Sequence, residues 1–478
     1  MLTYEDHKIV IHSRKKPNIQ VNTSSIAKDH RYNSRLLTLP QNDTGNAKRI
    51  LLFCRDVIKY NQEISEWMIW NGKYWSNDNA LPEIYLLAQA VMEKYYTAAK
   101  ENVEADDKTR QAIINHAKQS NNAGSLSNMI SLLKNMNYVH SMSCKNYYLN
   151  VQNGVVNLKT KELMPHSPDY GCTNICSCNY NPDAKSIHFK NFVNQITDNN
   201  EEIYKYLHIA AGYWICGTHK EEKFFILKGN GANGKSKFLE AIERTVGNYA
   251  SIFPISAITK SHSYAGQPTP ELVPMVNKRF TYTSELKAND VINDSVIKQL
   301  TGGEKFMFRK MRKEYSEAKI NFKIVMDTNY APNFKTFDYA IKRRLVIIPF
   351  YKTFEGDKRD NDLPEKLKAD REYILKWLVN GAYLYYKDGL HEPLEVISYM
   401  QEFYRSSDSL GSFIEHVLET VSGNDERSSV IYERYLAFCG ENGFDPIDIK
   451  TFSQGLCSRG LKKKIKNSGT YFKDIKLK

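Results

Sequence analysis

The sequence predicts an α/β protein. At its centre is a strand, a tight glycine loop and a helix start; a mixed α+β region precedes them, and a small helical unit with a basic hairpin ends the chain. Three observations carry this. The apolar run EEKFFILK (221–228) passes directly into GNGANGKS (229–236). RFTYTSE (279–285), NFKIVMDTN (321–329) and RRLVIIPF (343–350) are further runs of β-formers, each flanked by polar or turn-forming residues, as buried strands are. LKKKIKNSGTYFKDIKLK (461–478) turns near Asn467 to Gly469, in the manner of a two-stranded hairpin.

The whole chain sets bounds on these elements. Its 478 residues suggest about three domains. Apolar residues make up 41% and aromatics 12%, enough for real cores. No apolar stretch approaches the ~20 residues needed to span a bilayer. The start, MLTYEDHKIVIHSRKK, lacks the charged, apolar, small order of a secretory signal. The expectation is an intracellular, cytoplasmic protein without a membrane partner. Eight scattered cysteines argue against a disulfide framework. Cys172, Cys176 and Cys178 share one parity, as on the inner face of a strand, and lack the Cys-x-x-Cys knuckle of zinc sites. They read as small buried residues, with a metal site (His166 and His188 nearby) as the alternative. The net charge of +12 favours a polyanionic partner.

Residues 1–45, with HSRKKPN and KDHRYNSR, read as a basic arm with little periodicity. Residues 46–185 read as an α+β region. Asn71-Gly72 between aromatic runs marks a hairpin, and Trp67, Trp70 and Trp75 read as core. Asn153-Gly154 marks a second turn. Residues 186–355 hold the glycine loop and its strands, 356–425 a helical extension ending in the linker-like VSGNDER, and 426–478 a separate small unit. No internal repeat is present.

The loop carries definite chemistry. Gly229, Gly234, Lys235 and Ser236 fit G-x-x-x-x-G-K-[ST]. Backbone N–H groups from Gly229, Asn230, Gly231, Ala232, Asn233 and Gly234 can close around phosphate oxygens, and the following helix points its positive end at them. Lys235 can reach β- and γ-phosphates, and the Ser236 hydroxyl can hold Mg²⁺. The site therefore calls for ATP and Mg²⁺. Glu285, at the end of RFTYTSE, stands where an acid orients Mg²⁺ and polarises the attacking water. Its predecessor is Ser284, so one carboxylate would serve both tasks. LTGGEKFMFRKMRKEY (300–315) interleaves Lys305, Arg309, Lys310, Arg312 and Lys313 with aromatics and Met, which suits a basic hairpin gripping a nucleic-acid backbone. Asn329 follows an apolar strand and can sense the γ-phosphate. Arg343 and Arg344 precede another, where an arginine can reach a neighbouring subunit's nucleotide; the sequence leaves open which one does.

In the last unit, DIKTFSQGLCSRG places Phe452 and Leu456 inward and Gln454 and Arg459 outward. Lys462, Lys463, Lys464 and Lys466 follow on the hairpin. Helices with a basic hairpin look like a winged helix, whose outward residues could contact bases and phosphates.

In this order and spacing, GNGANGKS, RFTYTSE, LTGGEKFMFRK, VMDTN and IKRRLVIIPF resemble the superfamily 3 helicases, nearest the phage, plasmid and poxvirus primase-helicase branch. The upstream LNVQNGVVNLKTKELMPHSPDY is similar to the domain before the motor in that branch. The resemblance implies an AAA+-type motor in a homo-hexameric ring, with ATP between subunits. One DNA strand is drawn through the pore with 3′-to-5′ polarity, Glu285 activates water, Asn329 is the sensor, and Arg343 or Arg344 acts in trans. Long members of this branch carry a primase domain ahead of the helicase, whereas only a short arm precedes the matching region here; Asp360-x-Asp362 lies in a charged loop after the motor, where no primase fold fits, so no priming activity is expected of this chain and a separate primase is expected. The winged-helix tail implies binding of double-stranded origin DNA. The whole is similar to replication initiators of staphylococcal pathogenicity islands, in a bacterial host cell. An ATP-switched, sequence-specific DNA-binding regulator without unwinding activity is the alternative; a small P-loop kinase or packaging ATPase has no need of the basic hairpin or the wing.

Overall fold

The computed structural model describes the chain apart from residues 1, 6–7, 12–18, 22–29, 260–269, 284–285, 287–289, 304, 310–314, 331, 335–337, 357–358, 443 and 445. Its centre is a five-stranded parallel sheet. The strands lie in the order Ala250–Ile252, Phe280–Thr283, Lys323–Thr328, Phe224–Lys228, Leu345–Pro349. The Phe224–Lys228 strand is therefore flanked on both sides, with Phe225 opposite Val325 and also Val346.

Both faces of this sheet are covered, so its strands are continuously apolar rather than alternating. Phe225 and Leu227 pack into one cluster with Trp214, Phe238 and Leu239. Phe224 and Ile226 pack into another with Phe253, Ile297 and Ile324. The Lys235–Val246 helix starts after Gly234, at φ 82°, and stops at Gly247, at φ 61°.

The helix Arg371–Asp388, expected in an extension beyond the motor, packs onto the Glu201–Trp214 helix within the same core. The crossing is close at two glycines. A Cβ on Gly212 would lie 2.1 Å from the Ala382 nitrogen, and one on Gly381 would lie 2.1 Å from the His208 carbonyl oxygen. His208 stacks on Trp377, and its Nε2 lies 2.8 Å from the Trp377 carbonyl oxygen. Burial lowers the His208 pKa to about 4, so the ring is neutral there.

In the N-terminal region, the helices Asp43–Cys54, Ala80–Glu101, Asp107–Ser120 and Ala123–Met136 share one core with strands around the tryptophan hairpin. Trp70 pairs with Trp75 across a turn where Gly72 has φ 91°. Trp67 and Trp75 are buried and Trp70 is half-buried, as expected of core residues.

Part of the described portion of residues 1–45 is ordered into secondary structure. Three short strands, Leu2–Glu5, Lys8–Ile11 and Ile19–Val21, form a sheet, and a helix spans His30–Thr38. Arg49 explains why the last part is held. It is fully buried, lies over the Tyr95 ring, and donates to the carbonyls of Leu36, Leu39 and Pro40. These three bonds tie the segment just before the Asp43–Cys54 helix to a buried cation.

Cys144 and Cys172 are joined in a disulfide, against the expectation of free thiols, while Cys176 is buried in the main core. Among the described residues no cluster of His, Cys, Asp or Glu suits a metal, and no helix is long and apolar enough to cross a membrane.

The C-terminal unit has helices Ser409–Val417, Ser428–Asn442 and Ile449–Ser458 and a hairpin pairing Lys463–Lys466 with Gly469–Phe472. The stretch read as a linker is part of this unit. Leu418–Thr420 pairs with Ile475–Leu477, and Glu426–Arg427 pairs with Tyr471 and Phe472. Backbone pairing to the end of the chain, invisible in a local pattern of Ser, Gly and Asn, holds it in place.

Candidate nucleotide site and nucleic-acid surfaces

The glycine loop sits where the Phe224–Lys228 strand meets the Lys235–Val246 helix. Its conformation needs its small residues. Gly231 and Gly234 have φ of 96° and 82°, and a Cβ on Gly229 would meet the Phe350 carbonyl oxygen at 2.5 Å. The Phe354 N–H donates to the Ala232 carbonyl and ties the next strand's exit to the loop. A cavity of ≈ 870 Å³ opens over it, lined by Gly231 to Lys237 and by Asp327, Asn329 and Arg359 among others.

Lys235 is buried within this site. Its Nζ donates to the Gly229 carbonyl at 3.0 Å, to Asn233 Oδ1 at 2.8 Å and to Asn329 Oδ1 at 3.1 Å. Burial lowers its pKa to about 8, with Asp327 pulling the other way. Ser236 Oγ donates to Asp327 Oδ2 at 2.5 Å. Asp327 is only 5% exposed, and its Oδ1 has no hydrogen-bond partner among the described residues. Asn233 Nδ2 is likewise buried without a partner. Burial raises the Asp327 carboxyl above its ordinary range, and the Ser236 hydrogen bond opposes this.

The structure thus brings together Gly229 to Ser236 and Asn329. Glu285 lies outside the described residues, as do Lys310, Arg312 and Lys313. Lys305 and Arg309 bound one strand of an antiparallel hairpin, opposite Lys319 and Tyr315. The two strands flank the basic run, whose middle lies outside the described residues.

Arg343 and Arg344 do not line the cavity of their own chain. Both meet Glu222 Oε2, at 2.6 and 2.8 Å. They differ in exposure, at 44% and 10% of the side chain. Arg344 also donates to the Ala340 carbonyl.

Sequence reading missed two residues of the site. Arg359 reaches the cavity from beyond the last strand, and Asp327 was passed over as part of an apolar run. Asp327 stands two positions before Asn329, and alternate strand residues share a face, which was the available signal. Asp360 also lines the cavity, but its carboxylate accepts from Lys366 Nζ at 2.7 Å and from the Asp362 N–H at 3.0 Å, so the Asp360-x-Asp362 pair is used locally.

On the C-terminal unit, Gln454, Arg459, Lys462, Lys463, Lys464 and Lys466 are all exposed. Three of the cations are paired with carboxylates. Arg459 meets Asp408 at 2.7 Å, while Lys464 and Lys466 share Asp425 at 3.1 and 2.9 Å.

The family described as D5 N terminal like matches residues 47–198, and the family described as Poxvirus D5 protein-like matches residues 405–474. The chain is 27% identical over 401 residues to "Putative helicase L207/L206" of Acanthamoeba polyphaga mimivirus, covering 76% of this chain. It is 28% identical over 197 residues to a protein of Invertebrate iridescent virus 6, also named as a helicase, covering 40% of this chain. It spans 41% and 20% of the lengths of those two relatives. Among solved structures, the apo C-terminal region of NrS-1 aligns with a TM-score of 0.44 and 11% identity, covering 91% of this chain and 100% of that one. The chain is similar at both ends to D5-type proteins and, over most of its length, to a viral protein named as a helicase.

Proposed function

We propose that the protein is an ATP-dependent 3′-to-5′ DNA helicase and replication initiator of a mobile genetic element, a superfamily 3, AAA+-type motor working as a homo-hexameric ring in the cytoplasm. The observation that carries this reading is the grip on Lys235 and Ser236 from one neighbouring strand, Lys323–Thr328 with the Asn329 that follows it. A strand that touches both loop residues can pass nucleotide state into the sheet. The similarity to helicase-named viral proteins supports the same class.

The residues present fit ATP and Mg²⁺. A cavity opens over the loop from Gly231 to Lys237, and Asn233 Nδ2 and Asp327 Oδ1 are buried without partners among the described residues. When bound, ATP supplies the phosphoanhydride bond and Mg²⁺ screens its oxygens. Lys235 would hold phosphate oxygens in place of its three neutral acceptors, Asn329 would sense the γ-phosphate, and Glu285 would hold the attacking water. We assign the trans finger to Arg343, because Arg344 is buried within its own chain. The Lys305–Lys319 hairpin, with Arg309, Lys310, Arg312 and Lys313, grips single-stranded DNA in the pore. The C-terminal unit, read as a winged helix, binds double-stranded origin DNA through Gln454, Arg459 and the lysines of its hairpin.

The test is unwinding of a 3′-tailed DNA fork with ATP and Mg²⁺, comparing wild type with Lys235→Ala. The variant is expected to bind DNA and fail to unwind. A wild type that binds DNA and hydrolyses ATP yet separates no fork sinks the motor reading and favours an ATP-switched regulator.

A further inference from the structure

The nucleotide site has one acid too few by sequence and one too many by structure. Ser284 occupies the place before Glu285 where a second carboxylate would stand. On the adjacent strand, Asp327 enters the cavity instead. That strand lies between Phe280–Thr283 and the strand feeding the glycine loop, with Asp327 opposite Leu227. Ser236 donates its proton to Asp327 Oδ2, which leaves the hydroxyl lone pairs free for a cation. The other carboxylate oxygen is buried and unpartnered among the described residues. A carboxylate left in this state is costly unless a cation or donor completes it.

We propose that Asp327 is a Mg²⁺-positioning carboxylate of this site, supplying from the neighbouring strand the acid that Ser284 does not. The proposal rests on the nucleotide reading above and deepens it. Mg²⁺ keeps several waters and takes one or two carboxylates besides phosphate, a demand that one carboxylate, Asp327, and the Ser236 hydroxyl can meet beside a nucleotide. Asp327 and Asn329 lie two apart on one face of the chain, so the metal side and the phosphate side of the site move with the same strand.

The experiment measures Mn²⁺ affinity of the ADP complex by electron paramagnetic resonance, with ADP affinity in EDTA measured alongside. Asp327→Asn keeps the volume and an oxygen that can accept from Ser236. It is expected to bind ADP in EDTA as the wild type does and to lose at least about tenfold in Mn²⁺ affinity. Unchanged Mn²⁺ affinity with intact ADP binding overturns the proposal alone. A wild type that binds no ADP removes the nucleotide reading, and the proposal falls with it. Where Asp327→Asn lowers the melting temperature, Asp327→Glu supplies the check: the restored charge must recover Mn²⁺ affinity above that of Asp327→Asn, and failure to do so overturns the proposal.

Discussion

Lys235 Nζ lies 3.1 Å from Asn329 Oδ1, so the loop lysine is held by the next strand before any anion reaches it. Burial brings the ammonium from its ordinary 10.5 to about 8. A triphosphate beside Lys235 favours the charged form, so its binding takes up a proton between these values. Affinity is then complete below about pH 8 and falls by about tenfold per unit above it, until the pKa of the complex is passed. Calorimetry in two buffers of different ionisation enthalpy counts the proton. Flat affinity from about pH 7 to about pH 9.5 would contradict this assignment.

Arg343 and Arg344 separate by burial. Arg344→Ala removes the donor to Ala340 and one of two partners of Glu222, and is expected to cost about 1–3 kcal/mol of stability in urea unfolding. Arg343→Ala, at the exposed end of the same pair, is expected to change stability by less than about 1 kcal/mol. It should nevertheless lower ATP hydrolysis by about 10³-fold, the usual weight of a trans arginine. Wild-type hydrolysis by Arg343→Ala would move the finger elsewhere.

The Gly212–Gly381 crossing predicts a steric effect distant from the loop. Gly212→Ala puts a methyl within 2.1 Å of backbone at Gly381 and Ala382, which no rotamer can relieve. The helices must part, at a cost of about 1–3 kcal/mol. Thermal unfolding should show this for Gly212→Ala and for Gly381→Ala. A melting temperature equal to wild type would mean that the two helices are not packed this closely.

Asp425 restrains two of the lysines read as DNA contacts. Asp425→Asn should strengthen duplex binding and steepen its salt dependence. Replacing Lys462, Lys463, Lys464 and Lys466 by Ala should flatten the dependence by about 0.9 in slope for each lysine that meets a phosphate. Identical slopes for wild type, Asp425→Asn and the lysine variant would place duplex DNA on another surface.

Local pattern was enough for the features that depend on neighbours in the chain. GNGANGKS announces its loop because positive φ and bare backbone require glycine at Gly231 and Gly234. Asn71-Gly72 announces the tryptophan hairpin, and FFILK and LVIIP announce strands covered on both faces. Three things escaped. VSGNDER has the composition of a linker, yet the Val421 N–H donates to the Asp474 carbonyl and Glu426–Arg427 pair with Phe472 and Tyr471. Residues just before Asp43 look like an arm, yet Arg49 ties down their carbonyls. Asp327 looks like a blemish in an apolar strand, yet the sheet order sets it against Ser236. The division has one cause. Backbone dihedrals and the period of burial are written within a few residues of each position. Which buried carboxylate meets which hydroxyl depends on the strand order, and packing of the whole core settles that order.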